Sequence, residues 1–144
     1  MNSGSEFSTA SWLWVEGAAN YFGWQALVEN KLLSSNRSLQ QIDGLDKGLY
    51  SVDDLLNAND LFGIGQSSDI GSSFMDFLIH KDGNDQKKID ENIKRIYDVF
   101  TIIGSTNIPD NKIKRQQIMK DAVLQVFGVS EESLYADFLA KMKK

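Results

Sequence analysis

The segment that most constrains this chain is the run from Trp12 to Val28, WLWVEGAANYFGWQALV. It holds all three tryptophans together with Tyr21 and Phe22, and its only charged residue is Glu16. At 3.6 residues per turn these aromatics point in several directions, so a helix here is apolar around most of its circumference. Such a helix needs neighbours on nearly every side. We therefore predict that it forms the central helix of a small helical domain.

Two glycines, Gly17 and Gly23, lie inside this predicted helix. Each costs a helix about 1 kcal/mol relative to alanine. A cost of this kind suggests that a neighbouring backbone comes too close for a side chain, so we predict a close approach at both positions. Hydroxyl side chains in the stretch 8–11 can cap the start of the helix, which is predicted to continue through Leu33.

The rest of the chain shows the spacing of further helices. Capping signals at Ser51 and Ser130, together with stop signals at Gly104 and Gly128, separate them. Pro109 is predicted in the first turn of the penultimate helix. A polar connection between Ser34 and Tyr50 is predicted to contain one short helical turn, and the glycine- and serine-rich stretch 63–73 to be a flexible loop. The apolar helix faces are Val52, Leu55, Leu56 and Leu61; Phe74, Met75, Phe77, Leu78 and Ile79; Ile89, Ile93, Ile96, Tyr97, Phe100 and Ile103; Ile113, Met119, Ala122, Val123, Val126 and Phe127; and Leu134, Tyr135, Phe138, Leu139 and Met142.

No alternating strand pattern, internal repeat or long heptad competes with this helical periodicity. The predicted fold is all-α, an irregular orthogonal bundle of five or six helices around the apolar N-terminal helix. Residues 1–7, MNSGSEF, look like a linker encoded by adjacent cloning sites. The predicted domain is therefore a single helical unit over residues 8–144.

Charge and cysteine content limit the classes of function. The formal net charge is −5, but residues 1–85 carry −8 and residues 86–144 carry +3. This asymmetry permits a basic partner on one half or self-association of two copies. The chain has no cysteine, which excludes disulfides and favours the cytoplasm without fixing the compartment. Glu16, Asn20 and Gln25 interrupt the apolar segment, so no membrane span is expected.

Motifs for metal, phosphate and nucleophilic chemistry are missing. Neither Asp43 nor Asp82 begins a calcium loop with ligands at the required positions. Gly63 and Gly65 lack the context of a phosphate-binding loop, and His80 is the only histidine. We therefore predict no catalytic residue, no metal site and no cofactor.

Two short stretches resemble known families. Residues 26–30, ALVEN, resemble the helix that presents the catalytic acid in lysozyme-like muramidases. That resemblance implies a glycan hydrolase with Glu29 as the acid, which also requires a second carboxylate. Residues 28–34, VENKLLS, resemble the Val-Glu-Asn-Asn junction of contact-dependent and related polymorphic toxins, with Lys31 in place of the final asparagine. Either resemblance implies a secreted, phage or bacterial effector.

Nucleic-acid binding is a further alternative, carried by the basic stretch 112–120, which contains Lys112, Lys114, Arg115 and Lys120. Asp110, Asp121 and the acidic first half of the chain oppose the approach of phosphates. A nucleic-acid partner is therefore not favoured.

The function favoured by elimination is that of a non-catalytic protein-binding module, meaning an adaptor, inhibitor or regulatory interaction domain that docks onto a protein partner. Large aromatic side chains are the usual anchors of such interfaces. The predicted groove lies along the N-terminal helix and the 63–73 loop. The predicted partner-binding residues are Trp12, Trp14, Tyr21, Trp24, Ile64 and Phe74.

Overall fold

The structure is a computed structural model that describes residues 10–144, and over this range it consists of helices joined by turns and loops. The predicted all-α class is confirmed. Eight helices lie in the described range, more than the five or six predicted, because residues 43–61 form three separate short helices. The proposed linker at residues 1–7 lies outside the described residues. The helices are α1 (Trp12–Glu29), α2 (Asp43–Asp46), α3 (Val52–Leu56), α4 (Ala58–Leu61), α5 (Ile64–His80), α6 (Gln86–Gly104), α7 (Lys112–Phe127) and α8 (Glu131–Met142).

Helices α1 and α5 make the most extensive helix-to-helix contact of the described chain. A Cβ atom added to Gly17 would lie 2.4 Å from the carbonyl carbon of Gly71, and one added to Gly71 would lie 2.2 Å from the Leu13 oxygen. The close approach predicted at Gly17 is therefore confirmed. The same prediction is wrong at Gly23, which is exposed. A Cβ atom added to Gly23 would have no atom within 4 Å.

The predicted loop at residues 63–73 is wrong, because α5 begins at Ile64 and runs unbroken to His80. Its glycines and serines disfavour an isolated helix, but here they are small enough to let α1 lie against them. Ser72 fixes this contact, since its hydroxyl accepts a hydrogen bond from the Asn20 amide at 2.9 Å and donates to the Ser68 carbonyl at 2.8 Å. Tertiary packing overrides local propensity in this segment.

Helix α1 ends in a Schellman motif around Lys31. The Lys31 N–H donates to the Val28 carbonyl at 3.0 Å, and the Leu32 N–H donates to the Leu27 carbonyl at 2.9 Å. Lys31 has a φ of +62°, a left-handed conformation that glycine adopts most readily. The helix therefore ends at Glu29, whereas the sequence predicted that it would continue further.

Replacing Lys31 with glycine is expected to raise the free energy of unfolding by about 1 kcal/mol. The left-handed conformation costs an L-residue about 1–2 kcal/mol, and the greater freedom of glycine in the unfolded chain offsets part of the gain. Urea denaturation followed by circular dichroism measures the change. Lys31→Ala is the control, because alanine keeps the Cβ atom. Equal stability of the two variants would contradict the prediction.

Most of the other predicted helix ends are confirmed. Ser51 and Asp54 form a capping box, and the Ser130 hydroxyl accepts the backbone N–H of the third residue of α8. Gly128 ends α7 with a φ of +74°. The prediction for Pro109 is wrong, since α7 begins after it at Lys112.

Trp14 occupies the middle of the core and has no exposed surface. Its ring meets Phe74 edge-on at a centroid distance of 5.3 Å, and Phe100 and Phe127 also approach edge-on at 6.5 and 6.2 Å. These rings come from α5, α6 and α7, so α1 is enclosed by later helices as its apolar circumference requires. Within residues 10–144 no helix is both long and apolar enough to cross a membrane.

Candidate functional site

The predicted partner-binding residues divide between the core and the surface. Trp14 and Phe74 are completely buried and contact each other, and Tyr21 is almost completely buried. Trp14 and Phe74 therefore belong to the hydrophobic core and offer no contact area to a partner. The sequence pattern could not separate core from interface here, because both favour large aromatic side chains.

The other three predicted residues lie on different parts of the surface. Trp12 is at the start of α1, and its backbone N–H donates to the Asn59 side chain at 2.7 Å. Trp24 lies beside a shallow depression formed by α1 alone. Ile64 is 56% exposed at the first residue of α5, about 24 Å along that helix from its last residue, His80, which lines a groove beside α1. The described structure does not bring these residues together into one groove.

Helix α1 does border a groove, but the other walls are the C-terminal end of α5 and the first half of α6. The groove has a volume of about 460 Å³, which is within the size range of small-molecule and side-chain binding sites. Its lining residues are Tyr21, Phe22, Gln25, Ala26, Glu29, Ile79, His80, Gln86, Ile89, Asp90, Ile93 and Tyr97. We call this feature the α1/α5/α6 groove.

A stacked aromatic pair forms one side of the α1/α5/α6 groove. The rings of Phe22 and Tyr97 are 5.6 Å apart with an interplanar angle of 23°. Phe22 is in turn held edge-on by Tyr21 at 5.4 Å. Tyr97 remains 53% exposed, so the groove presents a supported aromatic side chain to the solvent.

A polar network holds the junction of α1 with α5. The Tyr21 hydroxyl donates to Asp76 Oδ1 at 3.1 Å, and His80 Nδ1 lies 2.9 Å from the Asp76 carbonyl oxygen and 3.3 Å from Asp76 Oδ1. Burial raises the pKa of Tyr21 well above its usual value, and the Asp76 carboxylate raises it further. Tyr21 is thus a neutral hydrogen-bond donor at physiological pH.

The α1/α5/α6 groove is acidic. Glu29 and Asp90 line it, and its lining includes no lysine or arginine. Asp90 accepts a hydrogen bond from the Gln86 amide at 2.8 Å. By contrast, a second groove of about 540 Å³ between α6 and α7 is lined by acids and bases together, with Lys94 paired to Asp98 at 2.7 Å. Only the first of these two grooves combines aromatic surface with one sign of charge.

Sequence reasoning missed Phe22, Tyr97 and Asp90 as candidate site residues. The signal available for Tyr97 was the spacing Ile89, Ile93, Tyr97, which lies along one edge of the apolar face of α6. Ile89 and Ile93 also pack against the hydrophobic core, as expected for a single wide apolar face. The same edge of this face lines the α1/α5/α6 groove.

The carboxyl group of Glu131 is buried beside a small cavity of about 60 Å³ that is separate from both grooves. Ser11, Arg115 and Gln116 also line this cavity. Glu131 is 3% exposed, and its Oε2 atom accepts a hydrogen bond from the Tyr135 hydroxyl at 2.6 Å. The same hydroxyl accepts from Trp14 Nε1 at 3.0 Å. Burial raises the pKa of Glu131 to about 7. This chain of hydrogen bonds connects α8 to the centre of the core.

The basic stretch of α7 is partly engaged within the chain. Lys112 pairs with Asp60, and Lys120 lies 3.4 Å from Glu132. Arg115 donates to the Pro109 carbonyl at 3.0 Å. These contacts reduce the positive charge available to a phosphate backbone. In the part of the chain that the structure describes, no three acidic or histidine side chains come together as a candidate metal site.

Comparison of the chain with models of known protein families, with curated proteins and with solved structures finds no match. Any assignment of function to this chain therefore rests on the chemistry of its own sites.

Proposed function

We propose that this chain is a helical protein-binding module that docks a segment of a protein partner in the α1/α5/α6 groove. The observation that carries the proposal is the half-exposed ring of Tyr97, supported from behind by Phe22 inside a groove of about 460 Å³. Tyrosine is among the residues that contribute most to binding energy when a partner covers them.

Side-chain contacts join the walls of the groove, which favours binding. Its walls are helices, and the Tyr21–Asp76 hydrogen bond ties α1 to α5 directly beneath it. The Phe22 and Tyr97 rings hold each other in place across α1 and α6. A preorganised site loses little conformational entropy when a ligand binds, so more of the contact energy appears as affinity.

A random peptide library selected against the whole protein tests the proposal. Tyr97→Ala is expected to weaken the binding of the selected peptides by about thirtyfold or more, because truncation of an interface hot spot costs at least about 2 kcal/mol. Isothermal titration calorimetry measures the dissociation constants.

Leu124→Ala is the matched control, since Leu124 is equally exposed at 53% but lies on α7 outside the α1/α5/α6 groove. It should leave binding unchanged. If the selected peptides bind Tyr97→Ala and Leu124→Ala as tightly as they bind the parent protein, their binding site lies outside the groove and the proposed site is refuted. A selection that yields no binding peptide would refute it as well.

A glycan hydrolase is the second candidate, because Glu29 and Asp90 line the same groove beside an aromatic ring on which a sugar can stack. Glu29 is exposed at the end of α1, whereas a catalytic acid is usually set in apolar surroundings. The test is whether the protein releases reducing ends from peptidoglycan. If it does, and if Glu29→Gln abolishes this activity, the chain is a glycan hydrolase and not a protein-binding module.

A further inference from the structure

We infer that the segment docked in the α1/α5/α6 groove is basic. One of its lysine or arginine side chains covers the Tyr97 ring, and another reaches Glu29 and Asp90, which lie two helical turns from the Phe22–Tyr97 pair. This inference rests on the proposed function and specifies the chemistry of the partner. The occupant is a linear, positively charged segment of another protein.

The first support is the uncompensated charge of the groove. Neither Glu29 nor Asp90 forms an ion pair within residues 10–144, although acids elsewhere on the surface do, among them Asp98 and Glu132. The groove's remaining basic side chain is His80, whose Nδ1 is already directed at Asp76. A cationic guest would therefore meet two carboxylates without displacing an internal cation, so it avoids the cost of breaking an existing pair.

The second support is the geometry of the aromatic pair. Phe22 covers one side of the Tyr97 ring in a stacked arrangement, while Tyr97 keeps half of its surface exposed. The negative face of an aromatic ring attracts a lysine ammonium or an arginine guanidinium within about 6 Å of its centre. The planar guanidinium of arginine also stacks on aromatic faces.

The third support is the field of the whole chain. Residues 1–85, which include the α1 and α5 walls, carry a formal charge of −8. Residues 86–144, which include the α6 wall, carry +3, and the complete chain carries −5. A potential of this sign raises the association rate of positively charged segments and repels nucleic acid. Charge and aromatic surface thus select the same class of partner.

The test uses fluorescein-labelled tetra-arginine, its tetra-lysine counterpart and tetra-citrulline, which has nearly the shape of arginine without its charge. We expect fluorescence polarisation to detect binding of the two cationic peptides but not of tetra-citrulline. Tyr97→Phe should bind like the parent protein and Tyr97→Leu about tenfold more weakly, because phenylalanine keeps the aromatic face and leucine keeps only apolar bulk.

The double variant Glu29→Gln/Asp90→Asn should also weaken the binding of tetra-arginine by about tenfold or more. It should reduce the dependence of that binding on salt concentration as well. Its control is Asp53→Asn/Asp137→Asn, which changes the net charge equally at exposed acids outside the groove. Equal weakening by the two double variants would show a general electrostatic attraction and overturn the inference. Equal binding of tetra-citrulline would overturn it too.

Failure of this inference can be told apart from failure of the proposed function. If library-selected peptides depend on Tyr97 but carry no lysine or arginine, the groove binds proteins and the basic partner is wrong. If chitotriose perturbs the NMR signals of Tyr97 and tetra-arginine does not, a glycan is the ligand and both proposals are wrong. Binding of tetra-arginine that needs Tyr97, Glu29 and Asp90 supports both.

Discussion

Replacing Gly71 with alanine is expected to lower the free energy of unfolding by about 3 kcal/mol, the upper end of the usual cost of overpacking. The new methyl group would lie 2.2 Å from the Leu13 carbonyl oxygen and 2.7 Å from Gly17 Cα. Both obstacles are backbone atoms, which cannot move aside as the end of a flexible side chain can. The only relief is a separation of α1 from α5, and this would open the most extensive helix contact of the described chain.

Gly65→Ala is the matched control because it lies on the same helix, is exposed and has no atom within 4 Å of an added Cβ. It should change the stability by no more than about 1 kcal/mol, and towards greater stability. Urea denaturation of both variants, followed by circular dichroism, measures the difference. The close crossing of α1 and α5 would be disproved if Gly71→Ala were as stable as Gly65→Ala.

Replacing Glu131 with glutamine is expected to raise the free energy of unfolding by about 3 kcal/mol above pH 7, and by much less below pH 4.5. Burial raises the pKa of the folded carboxyl group from its ordinary value of 4.5 to about 7. The protonated form is therefore favoured by folding. The stability from this group is fully present below pH 4.5, falls as the pH rises to 7 and is lost above it.

Glutamine keeps the shape of glutamic acid and an oxygen that can accept the Tyr135 hydroxyl, but it cannot ionise. The free energy of unfolding, taken from denaturation curves, should therefore differ between pH 5 and pH 8 by more in the parent protein than in Glu131→Gln. Glu132→Gln is the control, because Glu132 is only half-buried and pairs with Lys120. A Glu131→Gln variant that lost the same stability at both pH values would show that the carboxylate is stabilising and contradict the prediction.

The candidate site was only partly visible in the sequence. Helix α1 was expected to border a groove, and its residues Tyr21 and Glu29 do line one. Phe22 belonged to the same aromatic segment without being singled out, and Tyr97 had been assigned to a core face of α6. Their stacking across α1 and α6 creates the exposed ring, and a contact between residues so far apart in the chain depends on how the helices pack.

The sequence by itself determined the helical class and several helix ends. The caps at Ser11, Ser51 and Ser130 and the left-handed stop at Gly128 all involve partners within four residues, so local sequence is sufficient to specify them. The apolar circumference of α1 likewise determined that other helices must enclose it.

Only the tertiary structure decided which faces met. It made a helix of the glycine- and serine-rich start of α5, because small residues there allow α1 to approach. It buried Glu131 at the start of α8, and it left the Tyr97 side chain half exposed. Burial is a property of the assembled bundle, since identical apolar spacing can serve the core or a binding groove.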